Sequence, residues 1–190
     1  GFKGSWLTAW LKQLGAKVVG IALDPPTEPS HFVAAQLADG MVDLRIDIRN
    51  QVALEEAIVS AQPDFVFHLA AQALVRRSYE DPVETWQTNL LGTMHVLEAL
   101  RKLDKPCAAV IITSDKCYDN VEWVWGYRET DAMGGPDPYS ASKAMAELTI
   151  HSFVEFFFNS PDSNVNVGIA RAGNVIGGGD WALDRIVPDC

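Results

Sequence analysis

Cysteine is scarce in this chain, and so is positive charge. Only Cys107, Cys117 and Cys190 carry thiols. They form no CxxC pair and no His/Cys ligand spacing, so neither a disulfide framework nor a metal site is expected. So few unpaired thiols suit a reducing, cytoplasmic setting. Lys and Arg number 15 against 25 Asp and Glu, a net charge of -10. That balance argues against a nucleic-acid binder, which carries a basic stripe. A nucleotide ligand needs only a few local cations and stays open. No stretch reaches the roughly 18 apolar residues of a membrane span. The apolar patch at 153–158 is broken by Glu155 and reads as the face of a buried helix. Also lacking are an initiator Met and any strand ahead of Gly1, and the chain stops at Cys190 without a closing element.

What is present is a core and an alternation. Hydrophobic residues make up 48% of the 190, enough for one domain with a sizeable interior. Short apolar runs alternate with helical stretches, the pattern of a parallel α/β sheet. Strands are expected at 17–23, 42–46, 64–69, 108–113 and 166–170. Helices are expected at 5–14, stopped by Gly15, at 50–61 with Asn50 as N-cap, and at 139–157. The longest is expected at 82–103, where Val83, Trp86, Leu90, Met94 and Leu97 recur at three- and four-residue steps. No internal repeat or linker interrupts the pattern.

Gly1-Phe2-Lys3-Gly4 stands directly before a helix and about 20 residues before Asp24, at the end of a strand. Glycines there let backbone approach a pyrophosphate, and the helix start supplies free N–H groups. Asp24 can accept from adenosine ribose hydroxyls. Asp47, followed by Ile48, ends the next strand; it either accepts from an adenine amino group or caps the following helix. His68-Leu69-Ala70-Ala71-Gln72 ends another, and its small alanines let a ligand lie against backbone. His68 itself either borders that ligand or is a satisfied core histidine. In open α/β sheets, ligands bind outside the carboxyl ends of strands.

Tyr139-Ser140-Ala141-Ser142-Lys143 puts Tyr139 and Lys143 four apart on one helical face. An ammonium beside a phenol favours the phenolate, lowering the phenol from about 10 toward the working range. Tyr139 can then take a proton from a hydroxyl while hydride leaves the same carbon. Ahead of it a buried strand ends in Thr113-Ser114, whose hydroxyl would orient the substrate oxygen. The order strand, Ser, loop, Tyr, Lys is far more selective than the Tyr–Lys spacing alone.

The GxxG start, the HLAAQ strand end, Asn89 in NLLGT and YSASK together resemble the extended short-chain dehydrogenase/reductase superfamily. TSDKCYDN, EWVWGYRETDAMGG and RAGNVIGGGDWALDRIVPD resemble its sugar-nucleotide dehydratases, specifically the branch acting on CDP-glucose. The resemblance covers essentially the whole chain. It implies a Rossmann-type doubly wound parallel sheet that binds NAD through Gly1, Phe2, Gly4, Asp24, Asp47, Ile48, Leu69, Ala70, Ala71, Gln72, Asn89, Tyr139 and Lys143. Ser114, Asp115, Lys116, Tyr139 and Lys143 become the catalytic set. Relatives acting on thymidine-linked sugars usually carry Glu where Lys116 stands, and a protonated Lys is no base. Gln72, Arg76, Ser114, Asn174 and Arg185 are expected to hold the nucleotide sugar. Arg171 is a further candidate for its diphosphate, with Asn174 and Arg185 favoured by the resemblance. Trp123, Trp125 and Trp181 read as loop packing.

The implied reaction removes water from a nucleotide-activated hexose and leaves a 4-keto-6-deoxy sugar, in a full-length homo-oligomer. Two other readings stand beside it. A nucleotide-sugar 4-epimerase would need Ser114, Tyr139 and Lys143 but no acid at 115. A catalytically silent NAD-binding regulator would be expected to lose Tyr139 or Lys143. The family's motif is GxxGxxG, so a first glycine and first strand are expected before Gly1. In the order 3-2-1-4-5-6 that strand is central. Residues 1–190 are thus expected to be an incomplete NAD-binding domain, truncated at both ends and inactive alone. A substrate region is expected to begin at about 174–190.

Overall fold

The structure, a computed structural model, describes residues 1–185. Ile186, Val187, Pro188 and Asp189 of the last motif, with Cys190, lie outside the described residues. Helices and parallel strands alternate, and the fold is a Rossmann-like α/β fold. Two compact units make it up. One joins residues 1–47 to the segment from Asn174 onward; the other is Ile48–Gly173.

In the first unit, helix α1 (Phe2–Gln13) leads to strand β1 (Val19–Ala22), the short helix α2 (His31–Ala34) and strand β2 (Val42–Arg45). Gly1 is the N-cap of α1. The helix stops as expected at Gly15, whose φ is +80°. Gly15 N–H donates to the Lys12 carbonyl and Ala16 N–H to that of Leu11, the paired bonds that close a helix through a left-handed glycine. β1 and β2 run parallel, with Val19 opposite Val42 and Ala22 opposite Arg45. The segment after 174 lies on α1. Trp6 Nε1 donates to the Gly178 carbonyl at 2.9 Å, and the Trp6 and His31 rings stack at 4.5 Å. Gly179 has φ +81°, and a Cβ there would come within 2.7 Å of the His31 Cβ. Only glycine satisfies both constraints.

The second unit holds α3 (Gln51–Ala61), β3 (Phe65–His68), α4 (Val75–Glu80), α5 (Pro82–Trp86), α6 (Gly92–Leu100), β4 (Cys107–Ile112), α7 (Pro138–Phe153) and β5 (Val165–Ala170). Its sheet order is β3-β4-β5, all parallel. Asn50 caps α3 as expected, its Oδ1 accepting from Ala53 N–H at 3.2 Å. The core packs Leu54 and Ile58 of α3 and Leu97 and Leu100 of α6 with Ala109 and Ile111 of β4 and Ile150 of α7, all buried. Cys107 is buried among them, a small hydrophobe as its apolar context suggests.

Two expectations fail here. The single helix at 82–103 is broken into α5 and α6 by a π-turn at Gln87–Leu91, and the longest helical run is α7 with its own π-turn at Val154–Phe158. The patch at 153–158 is not a buried face: Phe158 is buried, but Phe156 is 77% exposed. The extra residue in a π-turn rotates the following side chains off the 3.6-residue stripe.

Candidate active site

The carboxyl end of β4 and the start of α7 carry the candidate reacting groups Ser114, Asp115, Tyr139 and Lys143, all within the second unit. After β4 the chain turns through a single 3-10 turn, Asp115–Cys117. Ser114 caps that turn: its Oγ accepts from Lys116 N–H at 3.2 Å and donates to Asp115 Oδ1 at 3.0 Å. Ser114 is buried, whereas Asp115 and Lys116 are exposed. Asp115 N–H donates to the Ala172 carbonyl, and the other carboxylate oxygen of Asp115 lies 3.6 Å from where a Cβ on Gly173 would stand. A bare glycine leaves that side of the acid open.

The turn packs on α7. α7 begins at Pro138, with Asp137 as N-cap accepting from Ser140 N–H at 2.9 Å and from its hydroxyl at 2.6 Å. Gly135, at φ +151°, lies so close to Ser140 that a Cβ would come within 2.3 Å of the Ser140 Cβ. This capped, tightly packed first turn sets the position of Tyr139. Tyr139 and Lys143 are both buried, and the Lys143 Nζ lies 5.9 Å from the centroid of the Tyr139 ring.

Asn89, in the π-turn, ties the end of β3 to this helix. Its Oδ1 accepts from Gln72 N–H at 2.9 Å, while its Nδ2 donates to the Gln72 carbonyl at 3.0 Å and to Ser142 Oγ at 2.9 Å. Both amide protons are thus engaged inside the protein. The Gln72 side chain also turns inward: Nε2 donates to the Leu74 carbonyl and to Thr85 Oγ1, and Oε1 accepts from Leu74 N–H. Leu69, Ala70 and Ala71, between β3 and Gln72, are half-buried. Ile48 is buried, its side chain filling the space beside Gly92. Its carbonyl accepts from His95 Nδ1 at 2.9 Å.

His68 is a satisfied core histidine. Its Nε2 meets Thr93 Oγ1 at 3.0 Å, and Thr93 donates its one hydroxyl proton to the Asn89 carbonyl at 2.8 Å. Nε2 must therefore carry the imidazole proton. Burial first, and then the Lys143 ammonium, push His68 from its usual 6.5 down to about 3. The folded group stays neutral where the unfolded one is charged, so its stabilising contribution is full above 6.5 and is lost as pH falls toward about 3. Across that window His68→Gln should flatten the acid limb of stability by up to about 1.4 kcal/mol per pH unit. Urea unfolding of both proteins at a series of acidic pH values checks this, and parallel limbs would contradict the assignment.

Arg171 does not serve a diphosphate. Nε and Nη2 pair with the two oxygens of Glu147 at 2.9 and 3.0 Å. Nη1 donates to Tyr118 OH and to the Glu129 carbonyl, and Nη2 also approaches Met133 Sδ. All five guanidinium N–H groups have protein partners. Arg76 is exposed. Trp123 stacks on Tyr127 as loop packing, but Trp125 is 74% exposed.

In the first unit, beyond the backbone of its own helix and its chain neighbours, none of the described residues comes within 4 Å of where a Cβ on Gly4 would stand. Asp24 lies just past β1 with its side chain 89% exposed. Arg45 gathers beside it, donating to the Leu23 carbonyl at 2.7 Å and standing 3.6 Å from Asp24 Oδ1. Asp47 is not the cap of α3, since Asn50 fills that role. Asn174 is exposed. Arg185 pairs with Asp180 at 3.5 Å and is close enough to Lys3 to lower its pKa, after the larger effect of burial. The sequence names Lys3 and Thr113 only as neighbours of candidate residues and leaves out Glu147, whose one signal is that it stands four residues beyond Lys143.

Parallel strands, a glycine-led first helix and a Ser/Tyr/Lys set at the end of a central strand define a short-chain dehydrogenase-type protein. The chain belongs to the GDP-mannose 4,6 dehydratase family, whose model matches residues 1–160. It is 55% identical to the CDP-glucose 4,6-dehydratase of Salmonella typhimurium, over 100% of this chain and 54% of that protein. Among solved structures it resembles MoeE5 in complex with UDP-glucose and NAD, with a TM-score of 0.78 at 25% identity over 100% of this chain and 56% of that one. The UDP-glucose 4-epimerase of Thermus thermophilus in complex with NAD matches with a TM-score of 0.75 at 27% identity, over 90% of this chain and 51% of that one. The chain spans about half the length of the relatives it matches. Among the described residues no helix is long and apolar enough to cross a membrane, and no cluster of His, Cys, Asp and Glu could hold a metal ion.

Proposed function

We propose that this chain is the nucleotide-binding part of an NAD-dependent sugar-nucleotide 4,6-dehydratase acting on CDP-glucose. The observation that carries the reading is the hydrogen-bonded pair Ser114–Asp115 at the carboxyl end of β4, against the helix that bears Tyr139 and Lys143. A 4-epimerase needs the hydroxyl, the phenol and the ammonium; it has no use for an acid beside them. The 55% identity to a CDP-glucose enzyme supports the nucleotide.

The residues present fit NAD. The open space over Gly4, the free N–H groups of the first turn of α1 and the cation at Lys3 suit a pyrophosphate. Gly1 and Phe2 belong to the same turn, and exposed Asp24 suits a ribose diol. Asp47 and Ile48 would border the adenine, Leu69, Ala70 and Ala71 the sugar-phosphate chain, and Tyr139 and Lys143 the nicotinamide ribose. Gln72 and Asn89, with their side chains engaged in the protein, contribute by shaping that wall. When bound, NAD accepts the hydride from sugar C4 and returns it to C6.

Tyr139 takes the proton of the sugar 4-hydroxyl, with Lys143 favouring the phenolate. Ser114 turns its hydroxyl from Asp115 to the same sugar oxygen. The C4 ketone acidifies the C5 proton, which a base removes while Asp115 protonates the departing C6 hydroxyl, so one water is lost; the base returns a proton to C5 as hydride reaches C6. Lys116, exposed beside Asp115, stands at the position expected of the C5 base. Arg185, Asn174 and Arg76 are the candidates to hold the nucleotide sugar, in a substrate region that begins near 174. The free thiols Cys107 and Cys117 suit a reducing cytoplasm, and the full-length protein is expected to be a homo-oligomer.

The test is to offer the full-length protein CDP-, GDP-, UDP- and TDP-glucose and follow products by mass. CDP-glucose should be consumed best, with loss of one water. A product of unchanged mass epimerised at C4 would replace this reading with the epimerase.

A further inference from the structure

Glu147 is fully buried, four residues beyond Lys143 and eight beyond Tyr139 on the same stripe of α7. No chemical step above uses it. A buried carboxylate is costly unless its partners are well placed, and even then a buried ion pair is a poor source of stability. Its partners show what it does supply. Thr113 donates its hydroxyl to Glu147 Oε1, and Thr113 is the residue immediately before Ser114. The buried Cys117 thiol feels the same carboxylate: burial first, then the Glu147 charge, push it up to about 11. Cys117 closes the turn that carries Asp115 and Lys116. Arg171, just past β5, binds both carboxylate oxygens and reaches on to Tyr118 and the Glu129 carbonyl. His151, one helical turn further along, lies 3.9 Å away.

We infer that Glu147, held by Arg171, is a positioning residue that fixes the Ser114 strand end and the Asp115–Cys117 turn against the α7 face bearing Tyr139 and Lys143. The inference rests on the reading of Ser114, Asp115 and Tyr139 as the reacting groups. Those groups stand on different elements yet must address neighbouring atoms of one sugar. A displacement of about 1 Å between them costs on the order of a hundredfold in rate. One carboxylate bonded to Thr113 just ahead of the turn, clamped by Arg171 and set on the same helix as the phenol, removes that freedom.

Glu147→Gln would leave a buried guanidinium unbalanced and endanger folding, so the test acts on Thr113 in the full-length protein. Thr113→Val keeps the shape and removes one bond; Thr113→Ser keeps the bond. Thr113→Val should lower kcat about tenfold with KM within about twofold, and Thr113→Ser should restore it. A second measurement needs no turnover: labelling of Cys117 by a thiol reagent, located by mass spectrometry, should be about tenfold faster in Thr113→Val and unchanged in Thr113→Ser. A wild type that turns over no sugar nucleotide sinks the proposed reaction, and the labelling then decides the positioning role. Wild-type kcat or wild-type labelling in Thr113→Val overturns the inference, as does a Thr113→Ser protein no better than Thr113→Val.

Discussion

Asp115→Asn should slow loss of water by about a thousandfold, within the range of general acid catalysis, and leave oxidation at C4 nearly untouched. The reason lies in where the carboxylate stands. Its Oδ1 takes the Ser114 proton at 3.0 Å, so the two groups share one small region at the end of β4. Its other oxygen lies 3.6 Å from where a Cβ on the bare Gly173 would stand. On the proposed reading Ser114 binds the 4-oxygen, two carbons from the departing C6 hydroxyl, which puts that hydroxyl beside an acid one residue further along the turn. Asparagine keeps the shape and can accept from Ser114, but it has no proton of carboxylic acidity for the leaving group. Oxidation at C4 requires only Tyr139, Lys143 and Ser114. Mixing the variant of the full-length protein with CDP-glucose should therefore show reduced cofactor accumulating by its absorbance, at close to the wild-type rate, with little product. Unchanged turnover would remove Asp115 from the acid role. Loss of both phases together would mean that the residue acts on binding or folding instead.

The strand pattern, the Asn50 cap and the Gly15 stop were legible because each rests on local chemistry: β-branched runs, an amide that accepts from the third residue on, a φ that only glycine tolerates freely. The helical segment from 82 to 100 shows where such reading fails. Its apolar stripe predicts Val83 facing inward, yet Val83 is 62% exposed. The buried face at that end is polar: Thr85, Asn89 and Thr93 hold Gln72, Ser142 and His68. Hydrophobic periodicity cannot see a face whose burial is satisfied by hydrogen bonds, and the π-turn that aims Asn89 has no spacing signature. Glu147 escaped for the same reason, since a lone carboxylate on a helix reads as a solvated one. The placement of Ser114 and Asp115 at a strand end, and of Tyr139 and Lys143 at the start of a helix, was legible because these residues follow strand and helix ends in a fixed order. Arg171 was misread because a sequence shows a cation without showing the carboxylate that occupies it.

Lys143→Met is expected to move the alkaline rise of activity to higher pH and to lower turnover at neutral pH by about a hundredfold. The ammonium lies 5.9 Å from the Tyr139 ring centroid, and both side chains are buried. At an effective dielectric of about 20, a unit charge at that range favours a phenolate by roughly 3 kcal/mol. That is about two pH units in the ionisation of the phenol. Methionine fills similar volume without charge, so the packing of α7 should survive. The same substitution removes the positive charge beside His68, whose imidazole is held down partly by that ammonium. His68 should therefore become easier to protonate, and the acid limb of stability should soften slightly as the activity limb moves the other way. Those opposite movements separate loss of a charge from loss of structure, because a damaged fold would lower activity at every pH without displacing the profile. NAD binding should weaken as well, since the same ammonium is proposed to face the cofactor ribose. The measurement is kcat against pH for both proteins, with NAD affinity followed by titration. An unmoved profile with unchanged affinity would show that the spacing of Tyr139 and Lys143 carries no catalytic meaning here.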